Sequence, residues 1–144
     1  MASKEQVEQI LKLFENVRPN GFLNEVNKVQ AGIGAVLRFL NETEGTVTAG
    51  KISDFMGVST ARVAVLLKKM AAKDLIVKEN DASDARVTVV KLSDHGRETV
   101  KAMREDLCNQ ISEMIDKIGM DKMLGFINTF EEIKSIMSGP PKFF

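Results

Sequence analysis

The chain has 144 residues, with 44% hydrophobic and 28% charged side chains, the size and composition of one soluble domain. Twenty basic side chains balance twenty acidic ones, so no global charge excess advertises a partner and global disorder is excluded. No apolar run reaches the roughly 20 residues of a membrane span, and a single cysteine allows no intramolecular disulfide. A reducing cytoplasm is therefore the expected location. The start, Met1 to Gln6, is polar and reads as a helix start, not a signal peptide.

Ser3 and Gln6 have the spacing of a capping box. Val7, Ile10, Leu11, Phe14 and Val17 then recur at helical spacing until Arg18-Pro19-Asn20-Gly21 stops the helix. A second helix is expected from about Asn24 to Asn41, with Val29, Ile33, Val36, Leu37 and Leu40 on one face. Gly32 and Gly34 weaken it, and their ordinary meaning is close helix packing. The alternative is room for a ligand or a bend. Thr48 to Met56 reads as a two-turn helix closed by Gly57 in a left-handed turn. Ser59 caps the next helix, which runs to about Lys73 with Val63, Leu66, Leu67 and Met70 as its buried stripe.

Leu75-Ile76-Val77 and Val87-Thr88-Val89-Val90 are β-rich runs around the polar tip Asn80 to Ala85, a hairpin signal. Ser93 caps a long helix to about Ile118, ended by Gly119. A last helix spans Asp121 to Met137 and stops at Gly139-Pro140-Pro141. Its apolar residues, Met123, Leu124, Phe126, Ile127, Phe130, Ile133, Ile136 and Met137, cover more of the circumference than a single core needs. The tail Lys142-Phe143-Phe144 adds two aromatics. Terminal helices packed between two copies resolve that excess, since homodimers supply apolar surface on both sides. The competing arrangement is a monomer with a wholly buried last helix.

The spacing Ile52, Met56, Gly57, Val58, Val63 and Leu66 is that of a helix-turn-helix. Ser53 stands where a small alanine is commoner, and serine is small enough to fit. A helix-turn-helix followed by a hairpin is a winged helix, whose second helix enters the major groove of DNA. The inward stripe leaves Thr60, Ala61, Arg62, Ala64, Val65, Lys68 and Lys69 outward, and no acid lies from Ser59 to Lys73. Arg62 suits a guanine edge, and Ala61 or Val65 a thymine methyl. Lys68 and Lys69 suit phosphate, as do Ser59 and Thr60 at the helix start. Residues 45–92 hold eight basic and five acidic side chains, so overall neutrality hides a basic middle.

The wing residues Asp84-Ala85-Arg86, the strand Val87 to Lys91 and then Leu92-Ser93-Asp94-His95-Gly96 resemble the wing signature of MarR-family transcriptional regulators. Ser59 to Met70 resembles the family's recognition helix. The resemblance spans essentially the whole chain. It implies a mainly α fold with a small β-wing, a winged helix-turn-helix flanked by N- and C-terminal dimerisation helices. Residues 1–144 would form one domain, with 1–43 and 93–144 as the helical dimerisation region and 45–92 as the DNA-binding region. It further implies a bacterial homodimer on a palindromic operator in double-stranded DNA. Most such proteins are repressors, and many are released by a small phenolic or lipophilic ligand. Arg86 would then reach the minor groove and Asp84 would position it.

Two departures stand out. Asp74 occupies a place where relatives commonly have glycine, although aspartate tolerates the left-handed conformation. Glu79, Asp81 and Asp84 make the tip acidic where basic residues are frequent, which lowers the expected contribution of the wing.

Other chemistries fare worse. Redox-sensing relatives use a cysteine in the first helix, whereas Cys108 lies in the fifth and reads as an inert buried thiol. One histidine, His95, makes a zinc site improbable, and it reads as a surface or capping residue. There is no phosphate-cradling glycine loop and no nucleophile and base at catalytic spacing beyond the coincidence of Ser93, Asp94 and His95. Neither enzymatic activity nor a cofactor is expected. The alternative to DNA binding is a winged helix used for protein interaction.

Overall fold

The computed structural model describes residues 1–17 and 28–137. The stop at Arg18 to Gly21, the first turn of the second helix and the segment from Gly139 to Phe144 lie outside the described residues. Six helices and two strands follow in order: α1 (Lys4–Val17), α2 (Lys28–Glu42), α3 (Ala49–Met56), α4 (Thr60–Ala72), β1 (Ile76–Asn80), β2 (Thr88–Leu92), α5 (Asp94–Ile118) and α6 (Met120–Met137). The fold is mainly helical with a two-stranded antiparallel wing, as the sequence implies.

The chain forms two compact units. One contains residues 1–23 and 104–144, and its core is Val7, Ile10, Leu11, Ile111, Ile115, Met123 and Ile127. The capping box forms at its start: the Ser3 amide donates to Gln6 Oε1 at 2.9 Å, and the Gln6 amide donates to Ser3 Oγ at 3.2 Å. Only part of the apolar α6 belongs to this core. Met123 and Ile127 are buried, whereas Phe126, Ile133 and Ile136 are 49%, 48% and 79% exposed. Cys108 is half-buried against the same core.

The second unit, residues 24–103, contains the helix-turn-helix and wing together with α2 and the start of α5. Ile33, Val36, Leu37 and Leu40 from α2 share one core with Ile52, Val63, Leu67, Met70, Ile76, Val90 and Leu92. Leu66 is only half-buried at its edge, a shallower seat than its place in the stripe implies. A Cβ on Gly34 would lie 3.1 Å from Met103 Cε, so this glycine does serve close packing. At Gly32 the nearest atoms are 3.6 Å away, an ordinary contact.

The strands begin and end later than their β-rich runs, with Ile76 opposite Leu92 and Asn80 opposite Thr88. Hydrogen bonding to a partner extends pairing through Lys78 to Asn80, residues of little intrinsic strand preference. Thr48 is the N-cap of α3 and not its first residue, its hydroxyl accepting from the Lys51 amide at 3.2 Å. The segment before it adds a bridge from Thr48 to Val89, closed by the Val90 amide donating to the Val47 carbonyl at 2.9 Å. The β-branched triplet Thr46-Val47-Thr48 is the signal for this pairing.

Candidate nucleic-acid interface

The tight turn between α3 and α4 is built by backbone geometry. Gly57 adopts φ 63°, and its amide donates to Asp54 O while that of Val58 donates to Ser53 O, each at 3.3 Å. This is a Schellman closure, in which the left-handed residue lets two amides reach back into the last turn. Ser53 adds a third link, its hydroxyl donating to Val58 O at 2.6 Å. Serine here therefore clamps both backbone groups of Val58 and is more than a small residue that fits. Ser59 then caps α4, its side chain accepting from the Arg62 amide at 3.3 Å.

These anchors fix which face of α4 turns outward. Val63, Leu67 and Met70 are buried. Ser59, Thr60, Ala61, Arg62, Ala64, Val65, Lys68 and Lys69 are all exposed. The outward positions of the sequence thus share one solvent face, with alanines and a valine between a polar N-terminus and three cations. Free amides at the helix start and the basic side chains make that face attractive to anions.

The wing's base is locked to the helices. Asp74 takes φ 55°, the left-handed position left open by the missing glycine. The Asp74 and Leu75 amides donate to Ala71 O and Met70 O, each at 3.0 Å, closing α4 with a second Schellman motif. Ser93 sits across this turn. Its amide donates to Leu75 O at 3.1 Å, its hydroxyl donates to Asp74 O, and that hydroxyl accepts from the Gly96 amide at 2.9 Å. A Cβ on Gly96 would stand 2.0 Å from Leu75 O, so only glycine allows α5 to approach so closely. The Leu-Ser-x-x-Gly segment therefore has a mechanical meaning: it pins the end of β2 and the start of α5 to the end of α4. Arg97 strengthens the joint by donating to Leu92 O at 3.1 Å.

At the tip, the Asp81 amide donates to Val87 O and the Val87 amide to Asp84 O, both at 2.9 Å. Asp81 Oδ1 accepts from the Ser83 hydroxyl, from the Ser83 amide at 2.8 Å and from the Asp84 amide at 3.2 Å. The Ser83 side-chain bond, followed by the two backbone bonds, holds the Asp81 carboxyl below its ordinary value of 3.8. Asp84 Oδ1 accepts from the Arg86 amide at 3.0 Å and from Arg86 Nε at 3.3 Å. The Arg86 side chain is 93% exposed, so the pair orients the guanidinium without hiding it. Glu79 pairs with Lys91 at 2.8 Å across the hairpin. Each acidic residue of the tip is thus engaged with a neighbouring donor. Arg86 and Lys91 offset the charges of Asp84 and Glu79, whereas the neutral donors on Asp81 leave its charge in place.

His95 is exposed on α5, and no group of metal-ligating side chains is found among the described residues. No described helix is long and apolar enough to cross a membrane.

Residues 34–87 match the protein-family model described as MarR family. No curated protein matches the chain. Solved structures share the fold at low identity. AbsC, a MarR family transcriptional regulator from Streptomyces coelicolor, is 20% identical, covering 94% of this chain and 89% of that one with a TM-score of 0.57. The YusO protein from Bacillus subtilis is 18% identical over 93% of this chain and 99% of its own, at a TM-score of 0.63. The MepR–DNA complex of S. aureus is 22% identical, covering 86% of this chain and 90% of that one at 0.57. The family match lies on the core helix, the helix-turn-helix and the wing up to Val87, the elements whose geometry is described above. Residues 34–87 thus resemble the MarR family, and the chain shares the fold of these solved structures.

Proposed function

We propose that the protein is a sequence-specific DNA-binding transcriptional regulator. The observation that carries this reading is the exposed face of α4, free of acids from Ser59 to Lys73 and flanked by a wing whose Arg86 is held outward by Asp84. In this reading Ser59, Thr60, Lys68 and Lys69 contact phosphate. Arg62, Ala61 and Val65 face the major groove, and Arg86 reaches toward the minor groove. A similar fold is seen holding DNA in the MepR complex.

The finer reading is a homodimeric repressor on a palindromic site, released by a small phenolic or lipophilic ligand. The exposed Phe126, Ile133 and Ile136 of α6 support the dimer, because a lone chain would leave that apolar surface in water. Release by a ligand rests on the family resemblance.

The test is a competition titration with duplex taken from just upstream of the protein's own gene, against random duplex. Saturable binding that favours the upstream duplex by about 10³ or more is expected. Arg62→Ala should weaken it by about tenfold. Equal binding to both duplexes, or none, contradicts sequence-specific recognition at that site.

A further inference from the structure

The outermost line of α4 carries Ala61 and Val65, with the exposed Lys68 about 20° from Ala61 on the side away from Val65. With about 100° per residue, Ala61 and Val65 lie within about 40° of each other, opposite the buried stripe of Val63, Leu67 and Met70. Ala64 lies on one side of this line. Arg62 and Lys69 lie on the other, about 80–100° around from Ala61. Val65 is 58% exposed and stands outside the core cluster. A β-branched residue in mid-helix costs helix propensity, and an exposed one leaves its methyls in water. Among the described residues nothing offsets either cost.

Building on the DNA-binding reading above, we propose that Val65, with Ala61 beside it, is the specificity-determining residue of the interface, and that it recognises thymine methyl groups. Among the base edges of the major groove, the thymine C5-methyl is the one apolar feature, and an alkyl side chain is its complement. Against a polar edge the same valine would strip water from a donor or acceptor and return no hydrogen bond, so it also discriminates against the other bases. The small Ala61 and Ala64 let the helix settle deeply enough for this contact. Arg62, on the flank of the face, makes its own contact in the groove, and the preference for thymine belongs to the methyl contact.

The full-length protein would be used to enrich duplexes from a random pool. The best duplex is then remade with deoxyuridine in place of thymidine, which deletes only the methyls. Wild type is expected to lose about 4-fold in affinity for each contacted methyl. Val65→Ala, an exposed change that keeps the helix, should bring the thymidine-to-deoxyuridine ratio close to one. Arg62→Ala should weaken both forms and preserve the ratio. A deoxyuridine duplex bound as tightly as the original overturns the proposal, as does a ratio that survives Val65→Ala. Failure to enrich any sequence overturns the DNA-binding reading itself, and the role of Val65 with it.

Discussion

Gly96 is the residue at which the wing has least tolerance. The Leu75 carbonyl occupies the space a side chain would need, and it is backbone held by the Ser93 amide. Gly96→Ala should cost about 1–3 kcal/mol or more by forcing that joint apart, measured by chemical denaturation. An unchanged midpoint would show that the joint is loose. Asp74 presents the opposite case. It holds a left-handed conformation at φ 55° that costs a non-glycine residue energy. Asp74→Gly should therefore stabilise the protein by up to about 1 kcal/mol, since its side chain is exposed and the turn is unchanged. Destabilisation would mean that the Asp74 side chain makes a contact of its own. Asp81 adds a pH test. Its folded value is depressed, so its stabilising effect is complete well above 3.8 and is lost as pH falls below 3.8 through the folded value. An NMR titration should place the change of the Ser83 amide below 3.8, and a midpoint at or above 3.8 would contradict the hydrogen-bonded tip.

At the scale of elements, strongly periodic and well-capped segments were legible in the sequence. The Ser3 and Gln6 box, the Gly57 turn, the Ser59 cap and the Gly119 stop each lie where backbone rules require them. The left-handed Asp74 was legible too, because the turn demands that conformation of whatever residue occupies it. The ends of the strands were not legible. Lys78 to Asn80 enter β1 through pairing with β2, a tertiary effect that intrinsic preference does not carry. The bridge from Thr48 was hidden for a related reason, since its partner Val89 is far away in sequence. Ser53 looked like a size-compatible substitution, and only the geometry of the turn reveals its hydrogen bond to Val58. For the acidic wing, composition counts charges and omits the partners that the structure supplies to Glu79 and Asp84. For the candidate interface, the sequence identified which side chains face outward on α4. The ordering of that face, with alkyl groups on its ridge and Arg62 on its flank, follows from the helix's rotation about its buried stripe.

At the scale of the whole molecule, α6 leaves Phe126 and Ile133 half in water, the kind of surface a second copy would cover. Sedimentation equilibrium should return twice the chain mass of 15.9 kDa. A double change, Phe126→Lys with Ile133→Lys, should give a folded single chain, because neither residue is buried. Monomeric wild type would contradict the dimer. Association between copies would also double every DNA contact, which makes electrostatics the sharpest probe of the account. In the proposed function, the basic face of α4 and the wing bind DNA backbone and bases together. The measurement is the affinity for an enriched duplex as a function of salt. Lys68 and Lys69 on phosphate and Arg86 at the minor groove, from two copies, should displace counterions and give a slope of log affinity against log salt of about −5. Arg86→Ala should reduce that slope by about 2, one contact from each copy. A slope near zero, or one unchanged by Arg86→Ala and Lys68→Ala alike, would contradict this interface.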